Sequence, residues 1–436
     1  MWAIASLYQG AFIGVMNAKK WCWSVGSFLI AGLVAGAVWW LSRPPSIALS
    51  TGTKLTLLGV SYGKHPKPPK SAGVTGRGRG AFSGTNDFLV VWLRQQRRGQ
   101  QWPNYQLYAY DEKGEACAGF SGMTYLNNNQ QKGEDVVGIR LDAFPRRESK
   151  FKLRLQEWNP QTGVQTVKDA FTVRNPARGP FPKWNPDSLP ITQSDDDLEV
   201  TLNQFSPGQK TPYQRNGQDP NDAMNRGVEV AFDVRQGGNA ATNWAPVQVI
   251  TSDATGNSII GWINRMPQGG DPTTVFQWGL WPDEPAWKVR FEFSRTTGFH
   301  DDELWTVQDV PVAPDKMQNF WNFGPRNRNK PAFAEVTLNG IHLKLFPAMK
   351  FTDQQGGLGR LEGGFTIETK PAPEGMRMTV VNLTAEDGHK VRPMNWGTGG
   401  TQYRFGLQDL GDAKTLNLTI ALHKSRFVEF TVKPKS

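Results

Sequence analysis

Along the whole chain after residue 47, apolar and polar residues alternate one for one in short runs. This pattern constrains the fold more than any other feature of the sequence. The clearest runs are 151–155, 287–293 and 416–420, with looser ones at 89–93, 105–110, 228–234, 247–250 and 376–381. Successive side chains on a strand point to opposite faces, so this alternation predicts half-buried antiparallel strands. Long amphipathic helical patterns are absent from the same region, while 46 Gly and 30 Pro supply frequent turns and 17 Trp and 24 Phe supply material for cores. At 436 residues the chain is too long for one core.

An internal repeat organises these strands. Glu199-Val200-Thr201-Leu202-Asn203 recurs identically as Glu335-Val336-Thr337-Leu338-Asn339, and Lys54-Leu55-Thr56-Leu57-Leu58 is a looser version. Phe171-Thr172-Val173-Arg174, Trp305-Thr306-Val307-Gln308 and Phe430-Thr431-Val432-Lys433 share an aromatic, Thr, Val, polar order. The first set is expected to open three units and the second to close them. Three such units resemble tandem immunoglobulin-like or fibronectin-like β-sandwiches, although the Cys…Trp…Cys core of antibody domains is missing. The resemblance implies a mainly β fold. It carries no functional residue, because these folds host many unrelated activities.

The expected order is an N-terminal tail and anchor (1–46), a first sandwich (47–180), a Pro-rich linker (181–196), a second sandwich (197–313), a linker (314–332) and a third sandwich (333–436). Residues 21–41 contain no charged side chain. About 20 apolar helical residues cross a bilayer core of about 30 Å, so this segment is expected to be a transmembrane helix. Trp21 and Trp23 flank one end and Trp39 and Trp40 the other, where indole rings favour the headgroup level. Gly32 and Gly36 have the spacing that lets two helices approach closely. A signal peptide cleaved after Ala35-Gly36-Ala37 is the alternative, and Met16 is an alternative start. Lys19 and Lys20 favour a single pass through the inner (cytoplasmic) membrane, with the N-terminus cytoplasmic and the body in the periplasm or facing the envelope.

Charge is uneven. Residues 47–180 hold 20 Lys and Arg against 10 Asp and Glu, an excess equal to the +10 of the whole chain. It concentrates in Lys64, Lys67 and Lys70 among prolines, Arg77 and Arg79 among glycines, and Arg94, Arg97 and Arg98. These are the candidate contacts to anionic lipid or an acidic polymer, where each cation near anionic headgroups contributes about 1 kcal/mol. Gly76-Arg77-Gly78-Arg79-Gly80 is too short for an Arg-Gly nucleic-acid tract, and no phosphate-binding loop is present. Nucleic acid is therefore not the expected partner.

No catalytic constellation emerges. The five His residues are scattered without metal-ligand spacing, there is no Gly-x-Ser-x-Gly elbow, and the only cysteines are Cys22 and Cys117. Neither an enzyme nor a cofactor is expected. Asp195-Asp196-Asp197 and His300-Asp301-Asp302-Glu303 are the nearest approach to a calcium site, with solvated turns as the plainer reading. Trp278 and Trp281, beside Asp283 and Glu284, have the residue types of a sugar-stacking platform, and Trp396 is a further candidate. Core packing is the competing reading for these rings. The expected function is a membrane-anchored envelope scaffold for an unidentified protein, with a carbohydrate-binding protein as the alternative.

Overall fold

The computed structural model describes residues 44–73, 82, 84–97, 104–117, 120–126, 133–158, 165–210, 226–261, 263–268, 271–277, 280–313, 331–351, 361–399 and 401–434. The expected span at 21–41 lies outside them, and among the described residues no helix is long and apolar enough to cross a membrane. The fold is mainly β, with no α-helix among the described residues. Two compact units form. One contains the described residues of 1–114 and 119–178; the other contains 115–118 and 179–436.

In the first unit the strands are β1 (Ser46–Ala48), β2 (Lys54–Gly63), β3 (Phe88–Gln96), β4 (Tyr105–Tyr110), β5 (Phe120–Tyr125), β6 (Glu134–Leu141), β7 (Lys150–Trp158) and β8 (Gln165–Arg174). They make a five-stranded sheet in the order β1-β2-β3-β6-β5 and a three-stranded sheet in the order β4-β7-β8. The alternating run in β7 buries Phe151, Leu153 and Leu155, while Lys152 faces outward.

The second unit continues with β9 (Ile191–Asp195), β10 (Leu198–Lys210), β11 (Arg226–Gln236), β12 (Asn239–Ala240), β13 (Trp244–Asp253), β14 (Ser258–Gly261), β15 (Ile263–Gln268), β16 (Asp271–Gln277) and β17 (Trp287–Arg295). It ends with β18 (Leu304–Ala313), β19 (Ala334–Leu338), β20 (Ile341–Leu345), β21 (Ala348–Lys350), β22 (Gly363–Lys370), β23 (Met376–Ala385), β24 (Arg392–Gly399), β25 (Gln402–Gln408), β26 (Thr415–Lys424) and β27 (Arg426–Val432).

The strand order of the first unit recurs twice here. One sheet runs β9-β10-β11-β16-β15, and β13-β17-β27 accompany it with β14 added at the edge. The other repeat pairs β19-β20, β20-β22, β22-β25 and β25-β24. Its second layer is β23-β26-β18, joined to the first through β21, which pairs antiparallel with β22 and parallel with β18. In the third repeat both layers contribute to one core, which includes Leu343, Phe365 and Phe405 from one side and Trp305, Leu418 and Ile420 from the other. In the second, Phe232 of β11 packs edge-on against Phe291 and Phe293 of β17, with ring centroids 4.9 and 5.5 Å apart.

The two repeats have exchanged their last strands, which corrects the expected boundaries at 313 and 333. β18 follows the second repeat in sequence but pairs with β26, placing Trp305 opposite Ile420 and Val310 opposite Leu416. β27 ends the chain but pairs with β17, from Trp287 opposite Val432 to Phe293 opposite Arg426. The cause is local. Only Ser425 separates β26 from β27, and a hairpin reversal needs at least about two turn residues. The chain therefore runs straight out of one two-layer body into the other. This exchange is why 179–436 forms one unit rather than two.

The opening motif is corrected too. Each repeat begins with a strand-turn-strand: β1-β2, β9-β10 and β19-β20. Glu199–Leu202 lies in the second strand of its hairpin, after the turn, whereas Glu335–Leu338 lies in the first, before the Asn339-Gly340 turn. Both turn residues there have positive φ, 50° and 76°, as a two-residue hairpin of this hand requires. The identical pentapeptides share a face pattern, not a place in the fold. β9 also occupies the end of what the sequence marks as linker 181–196.

Candidate functional site

Among the described residues, the three lysines of the cationic stretch share one loop. β2 ends at Gly63, and the chain continues through Lys64-His65-Pro66-Lys67-Pro68-Pro69 into a 3-10 turn at Lys70–Ala72. Pro66 and Ala72 are buried, Pro68 and Pro69 are half-buried, and Lys64, His65, Lys67 and Lys70 are exposed. The prolines fix φ, and the Gly84 amide donates to the Lys64 carbonyl at 3.1 Å, so the loop is braced from within. Lys64, Lys67 and Lys70 have no ion-pair partner among the described residues.

The arginines differ. Arg94 pairs with Glu134 at 3.0 Å and donates to the Ser71 carbonyl at 3.3 Å. Arg97 pairs with Asp135 at 3.2 Å with both side chains inside, 6% and 0% exposed, so it is not a surface contact. Arg77, Arg79 and Arg98 lie outside the described residues.

The aromatic platform loses its central ring. Trp281 is 6% exposed. Its indole N–H donates to the Glu115 carbonyl at 3.1 Å, and its own carbonyl accepts the Trp287 indole N–H at 3.1 Å. A ring held in this way packs the interior and offers no open face for a sugar. Trp278 lies outside the described residues, as does the side chain of Trp396, whose backbone forms a bulge in β24.

The acidic clusters have structural tasks that the sequence did not reveal. Asp195 accepts the Phe427 amide at 2.7 Å, while Asp196 and Asp197 pair with Arg426 at 3.1 and 3.2 Å. The three aspartates thus clasp the start of the exchanged strand β27. Asp197 also accepts from the Gln236 amide at 2.7 Å, which with Arg426 holds its carboxyl below the usual range. Glu303 is buried, pairs with Arg295 and accepts the His300 amide at 2.9 Å. No group of three or more metal-binding side chains occurs among the described residues. Cys117 is buried, and burial pushes its thiol well up, away from the thiolate a nucleophile needs.

What the sequence missed is a buried polar joint where the exchanged strands cross. The inward residues of β17 are Trp287, Val289, Phe291 and Phe293, yet Glu292 and Ser294 on its opposite face are also buried. Likewise β26 turns Leu416, Leu418, Ile420 and Leu422 inward, yet Ala421, His423 and Ser425 on the other face are at most 2% exposed. The two outer faces meet. The Ser425 hydroxyl donates to Glu292 at 2.6 Å, and Glu292 pairs with Arg377 of β23 at 3.2 Å. His423 Nε2 lies 3.3 Å from both the Ser294 and Thr379 hydroxyls. In the sequence these positions have the polarity of a solvent face, and only the single residue between two strand-like runs hinted otherwise.

Comparison with protein families, with curated proteins and with solved structures finds no match to this chain.

Proposed function

We propose that the chain is a membrane-anchored, non-catalytic scaffold of three immunoglobulin-like β-sandwiches, with its N-terminus cytoplasmic and its body outside the inner membrane. The observation that carries this reading is the uncharged stretch 21–41, of spanning length, followed within a few residues by the β1-β2 hairpin that begins a mainly β body. The sheet orders support the domain type. With β1 as an added edge, β2-β3-β6-β5 and β4-β7-β8 follow the ABED and CFG order of constant-type immunoglobulin domains. Such a body presents loops and sheet edges to a protein partner, while the segment before it fixes its height above the lipid.

Protease accessibility of a tag placed after Ser436 tests the orientation. Protection in intact cells with digestion once the outer envelope is opened is the expected result. Protection that persists until the inner membrane is lysed would reverse the topology and return cytoplasmic partners to consideration.

The proline-braced loop follows the first hairpin after the proposed anchor, and its three lysines, without ion-pair partners among the described residues, suit anionic headgroups. Replacing Lys64, Lys67 and Lys70 together with Ala is expected to remove about 3 kcal/mol, or roughly 100-fold in affinity, at low salt. Flotation of residues 44–436 with phosphatidylserine-containing vesicles measures it. Equal recovery of parent and triple variant, or equal recovery with neutral vesicles, would remove the loop from the interface.

A further inference from the structure

We infer that the joint where β26 passes into β27 is an acid-released latch: protonation of His423 loosens the second repeat from the third. The imidazole has no exposed surface and bridges the repeats. On one side is Ser294 of β17, on the other Thr379 of β23, each with its hydroxyl 3.3 Å from Nε2. The Phe299 ring packs against it with centroids 5.0 Å apart. A neutral imidazole fits this setting, because its unprotonated nitrogen accepts from a hydroxyl and needs no counterion.

The charged groups around it are already balanced. From β17 comes Arg295, paired with Glu303 of the Asp301–Glu303 turn; from β23 comes Arg377, paired with Glu292 of β17. An imidazolium adds a further positive charge to two guanidinium groups, and both carboxylates are engaged. The Ser425 hydroxyl bond to Glu292 belongs to the same network, so strain there reaches the single residue that links β26 to β27. Opening would hydrate the imidazole and separate the outer faces of β17 and β26.

Burial chiefly, with Arg295 and Arg377, holds the His423 pKa below its ordinary 6.5, against a smaller opposing pull from the Lys424 backbone and Glu303. The sign follows. A histidine whose folded value is depressed stabilises the fold fully above about pH 6.5, and that contribution is lost as pH falls through the folded value. Each pH unit between the two values corresponds to about a tenfold change in the open population.

The test is hydrogen exchange on the full chain in detergent micelles at pH 7.5 and pH 5.0, corrected for intrinsic rates. Protection of 287–295 and 420–432 is expected to fall at pH 5.0 relative to pH 7.5, while that of 88–96 in the first unit is unchanged. His423→Gln, which keeps a neutral hydrogen-bonding group, is expected to abolish the difference. The same fall in parent and variant, or no fall in the parent, would overturn the latch. Should the variant fail to fold, an NMR titration of the parent's histidines decides. A His423 midpoint below about 6.5 that coincides with the loss of protection supports the latch; a midpoint at or above it, with protection intact, overturns it.

Discussion

Ending the chain at Ser425 is expected to abolish the cooperative folding of residues 179–425 and to leave the first unit's melting transition in place. The deleted strand buries Val428, Phe430 and Val432, each at most 2% exposed. At about 1.5–3 kcal/mol per side chain the loss is roughly 5–9 kcal/mol, comparable to the 5–15 kcal/mol that typically holds a domain together. The deletion also leaves Phe291 and Val289 of β17 beside an open edge and strips Arg426 from Asp196 and Asp197. Thermal melting followed by circular dichroism measures the effect, and exchange mapping locates it. Because β27 pairs with β17, the damage should appear at 287–293, more than 130 residues before the cut. Loss of protection confined to 376–385 and 415–424 would contradict the exchange and return β27 to the third repeat.

Phe291→Ala is expected to destabilise the second unit by about 3–5 kcal/mol, the range for removing a fully buried aromatic ring. Phe291 is 0% exposed and lies at the centre of an aromatic cluster, 4.9 Å from Phe232 and 6.3 Å from Phe430 between ring centroids. Urea unfolding should show a lowered midpoint with an unchanged slope. Because Phe430 arrives on the exchanged strand and contacts Phe291, the double variant Phe291→Ala with Phe430→Ala should cost less than the two single losses added together. Additive losses, or a single-variant effect below about 1 kcal/mol, would mean that β27 does not complete this core.

Much of the local structure was legible. The runs at 287–293 and 416–420 are β17 and β26, and the three aromatic-Thr-Val segments lie in β8, β18 and β27. Their inward residues are the apolar ones, as alternation requires. Strand identity could be read because burial of every second side chain is written into neighbouring residues. Ownership could not. Trp305-Thr306-Val307 and Phe430-Thr431-Val432 carry the same face pattern, and either would cover either core. The candidate site fared similarly: Lys64, Lys67 and Lys70 remain on the surface, but Arg97 was drawn inside by Asp135, a partner on the adjoining strand β6. Trp281 turned inward because Glu115 supplies a carbonyl to its indole from far away in the sequence.

The sequence by itself determined that this is a repeated antiparallel β protein and which side chains of its alternating runs face the cores. It also determined where the excess positive charge lies and that an uncharged stretch of spanning length precedes the body. Only the tertiary structure decided that two repeats share their closing strands, that three aspartates clasp one of those strands, and that His423 is buried on what looks like a wet face. The physical reason is that hydrophobic burial is non-directional: it tells a strand to hide one face without naming the core that will hide it. That choice is made by connection lengths and by polar groups that meet only after the chain has closed, and here one residue, Ser425, leaves no room for the turn that would have kept the repeats apart.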